Sequence, residues 1–233
     1  MRTIMVLNAK GGSGKTTLVT NLAGYYAAQE QTTVIKDYDP QGSSTAWLEG
    51  RSHSLPTVHG LTAFKPSSQY MTRAWQMRLP KNTSQVIIDT PAVVDLKRFV
   101  TTLKAVDKIL IPVSASFVEV QATVKFIETW KAFTKLYPCS AQIAIVANRV
   151  NIESHTYHAM CTTFKNLGMD VIASLSYSEK YLEAAESGMS VLELEHSQLA
   201  QDKFEWAPLI NWLEDDNVLS KNIDEPKLYA IAD

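Results

Sequence analysis

Two lysines and three glycines crowd into the stretch Asn8-Ala9-Lys10-Gly11-Gly12-Ser13-Gly14-Lys15-Thr16-Thr17, near the start of a 233-residue chain. Gly11, Gly12 and Gly14 allow backbone angles and close approaches that a Cβ would block, so successive N–H groups around Ser13 can point at phosphate oxygens. A helix starting at the end of the stretch adds a partial positive charge. Lys15 then reaches the β- and γ-phosphates, the Thr16 hydroxyl ligates Mg²⁺, a hard cation that takes oxygen ligands, and Thr17 donates to the α-phosphate. The usual phosphate-loop pattern, G-x-x-x-x-G-K-[ST], asks for Gly where this chain has Ala9. In its place the chain puts a second lysine, Lys10, before the glycine pair.

Carboxylates recur in two later stretches, Lys36-Asp37-Tyr38-Asp39-Pro40-Gln41 and Val86-Ile87-Ile88-Asp89-Thr90-Pro91. Each follows an apolar run of strand length. In an open parallel sheet, ligands bind at the carboxyl ends of the strands, so Asp37, Asp39 and Asp89 are expected to converge on the phosphate end of a nucleotide. Asp89 is the expected carboxylate on the Mg²⁺ side, acting through water.

Positioning these groups needs a sheet with helices around it. Strands are expected at Thr3 to Leu7, Thr33 to Lys36, Val58 to Phe64, Gln85 to Ile88, Lys108 to Pro112, Gln142 to Ala147 and Asp170 to Ser174. Ile143-Ala144-Ile145-Val146-Ala147 is apolar throughout, as a strand buried on both faces of a parallel sheet must be. Helices are expected after Lys15 and Gly42, and at about 68–79, 95–105, 118–136, 154–166, 179–187 and 199–213. The fold class is α/β: a doubly wound, mostly parallel sheet with helices on both faces. Residues 1–213 are expected to form one domain, and the acidic tail 214–233 to fray.

Composition excludes several classes. A chain that is 45% hydrophobic and 20% charged is ordinary for a globular protein. No apolar run nears the roughly 20 residues of a membrane span, and the first strand leaves no room for a signal peptide, so a cytoplasmic protein is expected. Cys139 and Cys161 lack metal-site spacing and are expected to be reduced, packed thiols. Residues 1–150 hold 17 Lys/Arg against 9 Asp/Glu, and residues 151–233 hold 5 against 15. Basic residues crowd between Lys65 and Lys108, a candidate polyanion-binding face.

Taken together, K-G-G-x-G-K-T-T, D-x-D-P-Q-G, the apolar strand ending in Asp-Thr-Pro and the later Asn148-Arg149 resemble the deviant Walker-box ATPases of the ParA/MinD family, over residues 2 to 195. Asp-Pro-Gln-Gly followed by Ser43-Ser44-Thr45 and Trp47-Leu48 resembles the ParA branch. The resemblance implies a P-loop NTPase fold, ATP and Mg²⁺. It further implies that Lys10 crosses into the partner subunit's site, so that two monomers sandwich two ATP molecules. Asp39 would help place the attacking water and Asp37 would support the site. Asn148, with Arg149 beside it, would contact the adenine, helped by backbone near Ser176 to Ser178. Lys10, Lys15 and Asp39 are the implied catalytic residues, and Thr16 and Asp89 the metal-side ones.

Features of other branches are missing from the sequence. MinD-like membrane ATPases end in a basic amphipathic helix, whereas this tail is acidic and contains Pro226; a cluster-binding reductase would need cysteines near the nucleotide, and a tyrosine kinase of this fold a C-terminal tyrosine cluster. What the resemblance leaves is a short ParA-type ATPase, expected to have no preceding helix-turn-helix domain. Its ATP-bound homodimer would coat the nucleoid by non-specific DNA binding, and an adaptor of the ParB or McdB type would stimulate hydrolysis. The cargo would be a plasmid, a chromosome origin, a carboxysome or a chemoreceptor cluster, with no membrane involved. One departure concerns DNA: the family's basic residues often lie in the later helices, which here are acidic. The expected contacts move to Lys97, Arg98, Lys104 and the group from Arg73 to Lys81. A metabolic ligase or kinase on the same fold, or a nucleotide-gated scaffold with negligible turnover, are the alternatives.

Overall fold

The computed structural model of the chain describes residues 1–65, 72–194 and 200–215. Among them are seven strands: β1 (Arg2–Val6), β2 (Thr33–Asp37), β3 (Val58–Thr62), β4 (Gln85–Asp89), β5 (Lys108–Val113), β6 (Gln142–Asn148) and β7 (Val171–Leu175). All pair in parallel, in the order β3-β2-β4-β1-β5-β6-β7. Between them run α1 (Lys15–Ala28), α2 (Ser43–Gly50), α3 (Arg73–Gln76), α4 (Val100–Leu103), α5 (Phe117–Leu136), α6 (His155–Asn166), α7 (Lys180–Glu186) and α8 (Ala200–Glu214).

The period-2 alternation of the strands splits the core into two layers. Ile4 and Val6 of β1 pack with Leu18 and Leu22 of α1, Trp47 of α2 and Trp206 and Leu209 of α8. Met5 and Leu7 face the other way, toward Leu103 of α4, Phe126, Ile127 and Trp130 of α5 and Phe164 of α6. Both faces of the sheet are therefore covered, as the continuous apolar runs require. From β1 the chain winds outward to β2 and β3, and after β4 it crosses to β5, β6 and β7. The reversal falls beside β1, which is where a doubly wound sheet opens a crevice at its carboxyl edge.

Each expected strand is present, with bounds shifted by one or two residues: Asp37 and Asp89 close β2 and β4 instead of following them. The helix expected at 95–105 is instead a 3₁₀ turn, Leu96–Phe99, followed by the single turn of α4. Asp95 accepts a hydrogen bond from the Lys97 N–H, which tightens the turn, and the β-branched run Val100-Thr101-Thr102 is a poor helix former. Of the helix expected at 68–79 only α3 is described, and residues 66–71 and the tail from 216 to 233 lie outside the described residues. Helix α8 runs to Glu214.

Two helices that begin at the carboxyl edge are bolted together at their far ends. Arg51, just past α2, donates to the Glu193 carboxylate, to the Gly188 carbonyl at 2.8 Å and to the Pro56 carbonyl, with its guanidinium 5.1 Å from the Trp47 ring. Its side chain is 4% exposed and that of Glu193 5%. Gly188 has a φ of 63°, and a Cβ there would overlap the Arg51 backbone. From the same segment Ser190 donates to the Asn21 carbonyl of α1 at 3.0 Å, and the Val191 N–H to Asn21 Oδ1 at 2.6 Å. Breaking a buried ion pair from one side strands the other charge. Glu193→Gln is therefore expected to cost about 3 kcal/mol in urea unfolding; an unchanged midpoint would mean that the neighbouring carbonyls alone hold Arg51.

Candidate active site

The loop between β1 and α1 is held by its carbonyls. Lys15 Nζ donates to the Lys10 carbonyl at 3.1 Å, Arg149 Nη2 to that of Gly12, and Asn148 Nδ2 to that of Ser13 at 2.9 Å. The Gly14 carbonyl accepts the Leu18 N–H at 3.0 Å, opening α1. With these four carbonyls engaged, the N–H groups of Gly11, Gly12, Ser13 and Gly14 have no acceptor among the described residues. They form an anion-binding nest at a helix N-terminus. Gly12 and Gly14 have φ of 77° and 93°, and a Cβ on Gly14 would overlap Asn148 Nδ2. The last residue of β6 thus sets how tightly the loop can fold over it.

The nest opens into a cavity of about 460 Å³. Gly11, Gly12, Gly14, Lys15, Thr16 and Thr17 line it on the loop side, Asp39, Gln41, Ser43 and Ala92 near the ends of β2 and β4, and Asn148, Arg149 and the segment 176–182 elsewhere. Lys10 is half-buried and lines no part of it. Its N–H donates to Asn8 Oδ1 at 3.1 Å, while Asn8, fully buried, donates to the Pro112 carbonyl at 2.7 Å.

Asp37 and Asp39, two residues apart, do different things. Asp37 is 1% exposed and lines no part of the cavity; it accepts from the Asp39 N–H at 3.0 Å, and from the N–H and hydroxyl of Thr45 at 3.1 and 2.6 Å. It positions the turn into α2. Asp39 lies on the cavity wall, with Oδ1 accepting the Gln41 N–H at 3.0 Å. Asp89 is wholly buried beneath the loop, and its Oδ2 accepts the Thr16 hydroxyl at 2.9 Å. Among the described residues its Oδ1 and the neighbouring Ser44 hydroxyl have no partner at full hydrogen-bond geometry, although the hydroxyl stands near enough to the carboxylate to favour its charged form.

A buried, unpartnered carboxylate oxygen calls for a cation or a proton. Burial raises the Asp89 pKa to about 6, with the Asp37 and Asp39 charges adding to the rise and the Thr16 and Ser44 hydroxyls opposing it. Burial lowers the Lys15 pKa against the pull of Asp89 and Asp39. The oxygens of Thr16 and Asp89 are the hard donors that Mg²⁺ takes beside phosphate, so the residues present fit that ion.

A family model described as the CobQ/CobB/MinD/ParA nucleotide binding domain matches residues 4–191. The chain belongs to this family. Among similar proteins, "Maintenance of carboxysome distribution protein A" of Halothiobacillus neapolitanus is 29% identical over 198 residues, 82% of this chain and 87% of that protein. The fold matches Cyanothece McdA in complex with ATP at a TM-score of 0.67 and 19% identity, over 90% of this chain and 96% of that one. A Borrelia burgdorferi putative plasmid partition protein bound to AMPPNP matches at 0.66 and 14%, over 91% and 99%.

Within this nucleotide-binding family the loop and its carboxylates were readable from spacing. Gln41, Ser43, Ala92, Tyr181 and Leu182 were not assigned to the site, although the first three follow strand ends, which is the signal that points to them. The exposed acid of an unfolded chain titrates near 3.8, so between about pH 4 and 6 the folded chain keeps a proton on Asp89 that the unfolded chain has lost. Stability falls over that window as the pH rises, by about 2–3 kcal/mol, and stays reduced above it. Asp89→Asn keeps an acceptor for Thr16 and gains a donor for Ser44. Without nucleotide or metal, this variant is expected to melt about 5 °C above wild type at pH 8, a gap that closes at pH 4; equal melting temperatures at pH 8 would show that the charge is compensated.

Proposed function

We propose that the chain is a Mg²⁺-dependent, ParA-like ATPase whose ATP-bound homodimer binds DNA non-specifically and positions a cargo with a partner protein that stimulates hydrolysis. The observation carrying this reading is the division between the two loop lysines: Lys15 lines the nucleotide cavity, and Lys10, three residues past Leu7, stands outside it. A lysine on the rim is available to a second copy of the site. The exposed apolar side chains Val93, Phe117, Tyr177 and Leu182 stand at or just past the carboxyl ends of β4, β5 and β7, the kind of surface that another chain covers.

Phosphoryl transfer through a loose transition state needs placed charge and an aligned water. In this reading the loop N–H groups bind the phosphate oxygens, Lys15 follows the charge on the β- and γ-phosphates, and Asp39 orients the attacking water. Thr16 and Asp89 would hold Mg²⁺, which would supply neutralising positive charge to the phosphates when bound. Asp37 keeps Asp39 in place by accepting its N–H, and is itself held by Thr45. Lys10 completes the positive charge only from the partner, so ATP binding and dimerisation are linked. The relative from Halothiobacillus favours a carboxysome among the possible cargoes. For DNA, Arg78, Lys81, Lys97, Arg98 and Lys104 are exposed, and Arg98 is partly engaged by Asp95 at 3.4 Å.

Lys15→Ala is expected to abolish ATP binding in calorimetry, and Lys10→Ala to spare it while losing the ATP-dependent dimer in light scattering. Survival of both dimer and hydrolysis in Lys10→Ala would reduce the loop to an ordinary one with a spare lysine. Asp39→Ala should give ATP-bound dimers that turn over poorly and stay on DNA, measured by phosphate release and filter binding; normal turnover would remove its role. Replacing Lys97, Arg98 and Lys104 together by Gln should flatten the salt dependence of DNA binding, since each lost phosphate contact lowers the log–log slope by about 0.9.

A further inference from the structure

One wall of the cavity is held from a distance. The loop after β7 and the helix α7 supply Ser176, Tyr177, Ser178, Tyr181 and Leu182 to it. Three side chains from one stripe of α8, spaced as helical neighbours, fasten that wall: Glu205 Oε2 accepts both the Ser176 N–H at 2.8 Å and the Ser176 hydroxyl at 3.0 Å, Asp202 accepts from Lys180 Nζ at 2.8 Å, and the Trp206 indole N–H donates to the Tyr181 hydroxyl at 2.8 Å. Asp202 is 3% exposed and Trp206 1%. The other Glu205 oxygen accepts from Gln201 at 3.0 Å, which fixes the carboxylate's orientation.

If the loop and the ends of β2 and β4 take the phosphates, the base is left with Asn148, Arg149 and this wall. A serine that gives its N–H and its O–H to one carboxylate has only lone pairs left to offer. Asn148 differs: one Nδ2 proton is committed to Ser13, so it shows its Oδ1 and its second Nδ2 proton, an acceptor beside a donor, the pairing that matches an adenine edge. We propose that Glu205 is a positioning residue that sets base specificity: by taking both protons of Ser176 it leaves that residue only acceptors to show the base, which favour a purine with an exocyclic amino group at C6 over one with a carbonyl there. This rests on the reading of the cavity as a nucleotide site. A base that meets acceptor with acceptor leaves buried polar groups unpaired, which is the costlier kind of mismatch.

The test is calorimetric titration of the full chain, with Mg²⁺, using ATP, GTP and inorganic tripolyphosphate. Wild type is expected to prefer ATP to GTP. Glu205→Gln replaces the charged carboxylate with a neutral amide, a weaker acceptor that loosens its hold on the Ser176 hydroxyl proton; it should lose about tenfold in ATP affinity, narrow the ATP–GTP gap and leave tripolyphosphate affinity unchanged. Ser176→Ala, which leaves α8 intact, should narrow the gap in the same way and decides the matter if Glu205→Gln fails to fold. An equal loss for ATP and tripolyphosphate in Glu205→Gln, an unchanged ATP-to-GTP ratio in both variants, or a wild type indifferent to the base would each overturn the proposal while leaving the phosphate site standing. A wild type that binds neither ATP nor tripolyphosphate would overturn the nucleotide reading along with it.

Discussion

A short loop can aim its N–H groups at an anion only if its carbonyls are satisfied somewhere else, because a buried polar backbone group without a partner is costly. Here the partners are three side chains from two directions. Lys15 returns from α1 to the Lys10 carbonyl, while Asn148 and Arg149 reach from the end of β6 to Ser13 and Gly12. Arg149 takes a φ of 54° to do so, a conformation that only a surrounding structure with fixed demands maintains in a non-glycine residue. β6 in turn is placed by its pairing with β5 and β7, so the phosphate cradle depends on strands more than a hundred residues away.

The same logic applies to charge. Asp89 is buried with one oxygen unpartnered, and Lys15 is buried with its ammonium resting on a loop carbonyl. Both shifts favour the neutral form, Asp89 upward and Lys15 downward, because burial strips water from each group by more than its neighbours compensate. That arrangement costs stability in the free chain and is offset by clusters that have no chemical part, among them the Arg51–Glu193 pair and its ties to α1 and α2. Any ligand bringing a cation to Asp89 and an anion to Lys15 would relieve that cost at the site itself, which would make binding and local stability one quantity.

How much of this was legible in the sequence follows the distance over which each part is decided. Gly11 to Thr17 could be read because a strand, a turn and a helix are local and each residue type has a mechanical reason to be there. Asp89 and Asp39 could be placed because apolar runs announce strands and ligands gather at strand ends. The 3₁₀ turn at 96–99 was read as part of a longer helix because apolar spacing does not report the Asp95 cap or the β-branched run that follows. The supporting part expected of Asp37 follows from the resemblance, but its partner Thr45 sits eight residues on and across a turn, which no local pattern reports. Sheet order, with β4 inserted between β1 and β2, is a matter of non-local pairing that no window of sequence contains.

The wall formed by 176–182 is the extreme case. The family resemblance points to the backbone near Ser176 to Ser178, but nothing in those residues announces how their side chains are held, which is decided by Glu205, 29 positions later. Once α8 is packed on β7 through Trp206 and Leu209, its polar stripe has no choice but to meet that loop, and a carboxylate there must find protons. Ser176 supplies two of them. The hydrogen-bonding character of this wall is therefore a by-product of how the final helix covers the sheet, which is why the loop from Gly11 to Thr17 is legible in seven residues while the opposite wall is legible only in the whole fold.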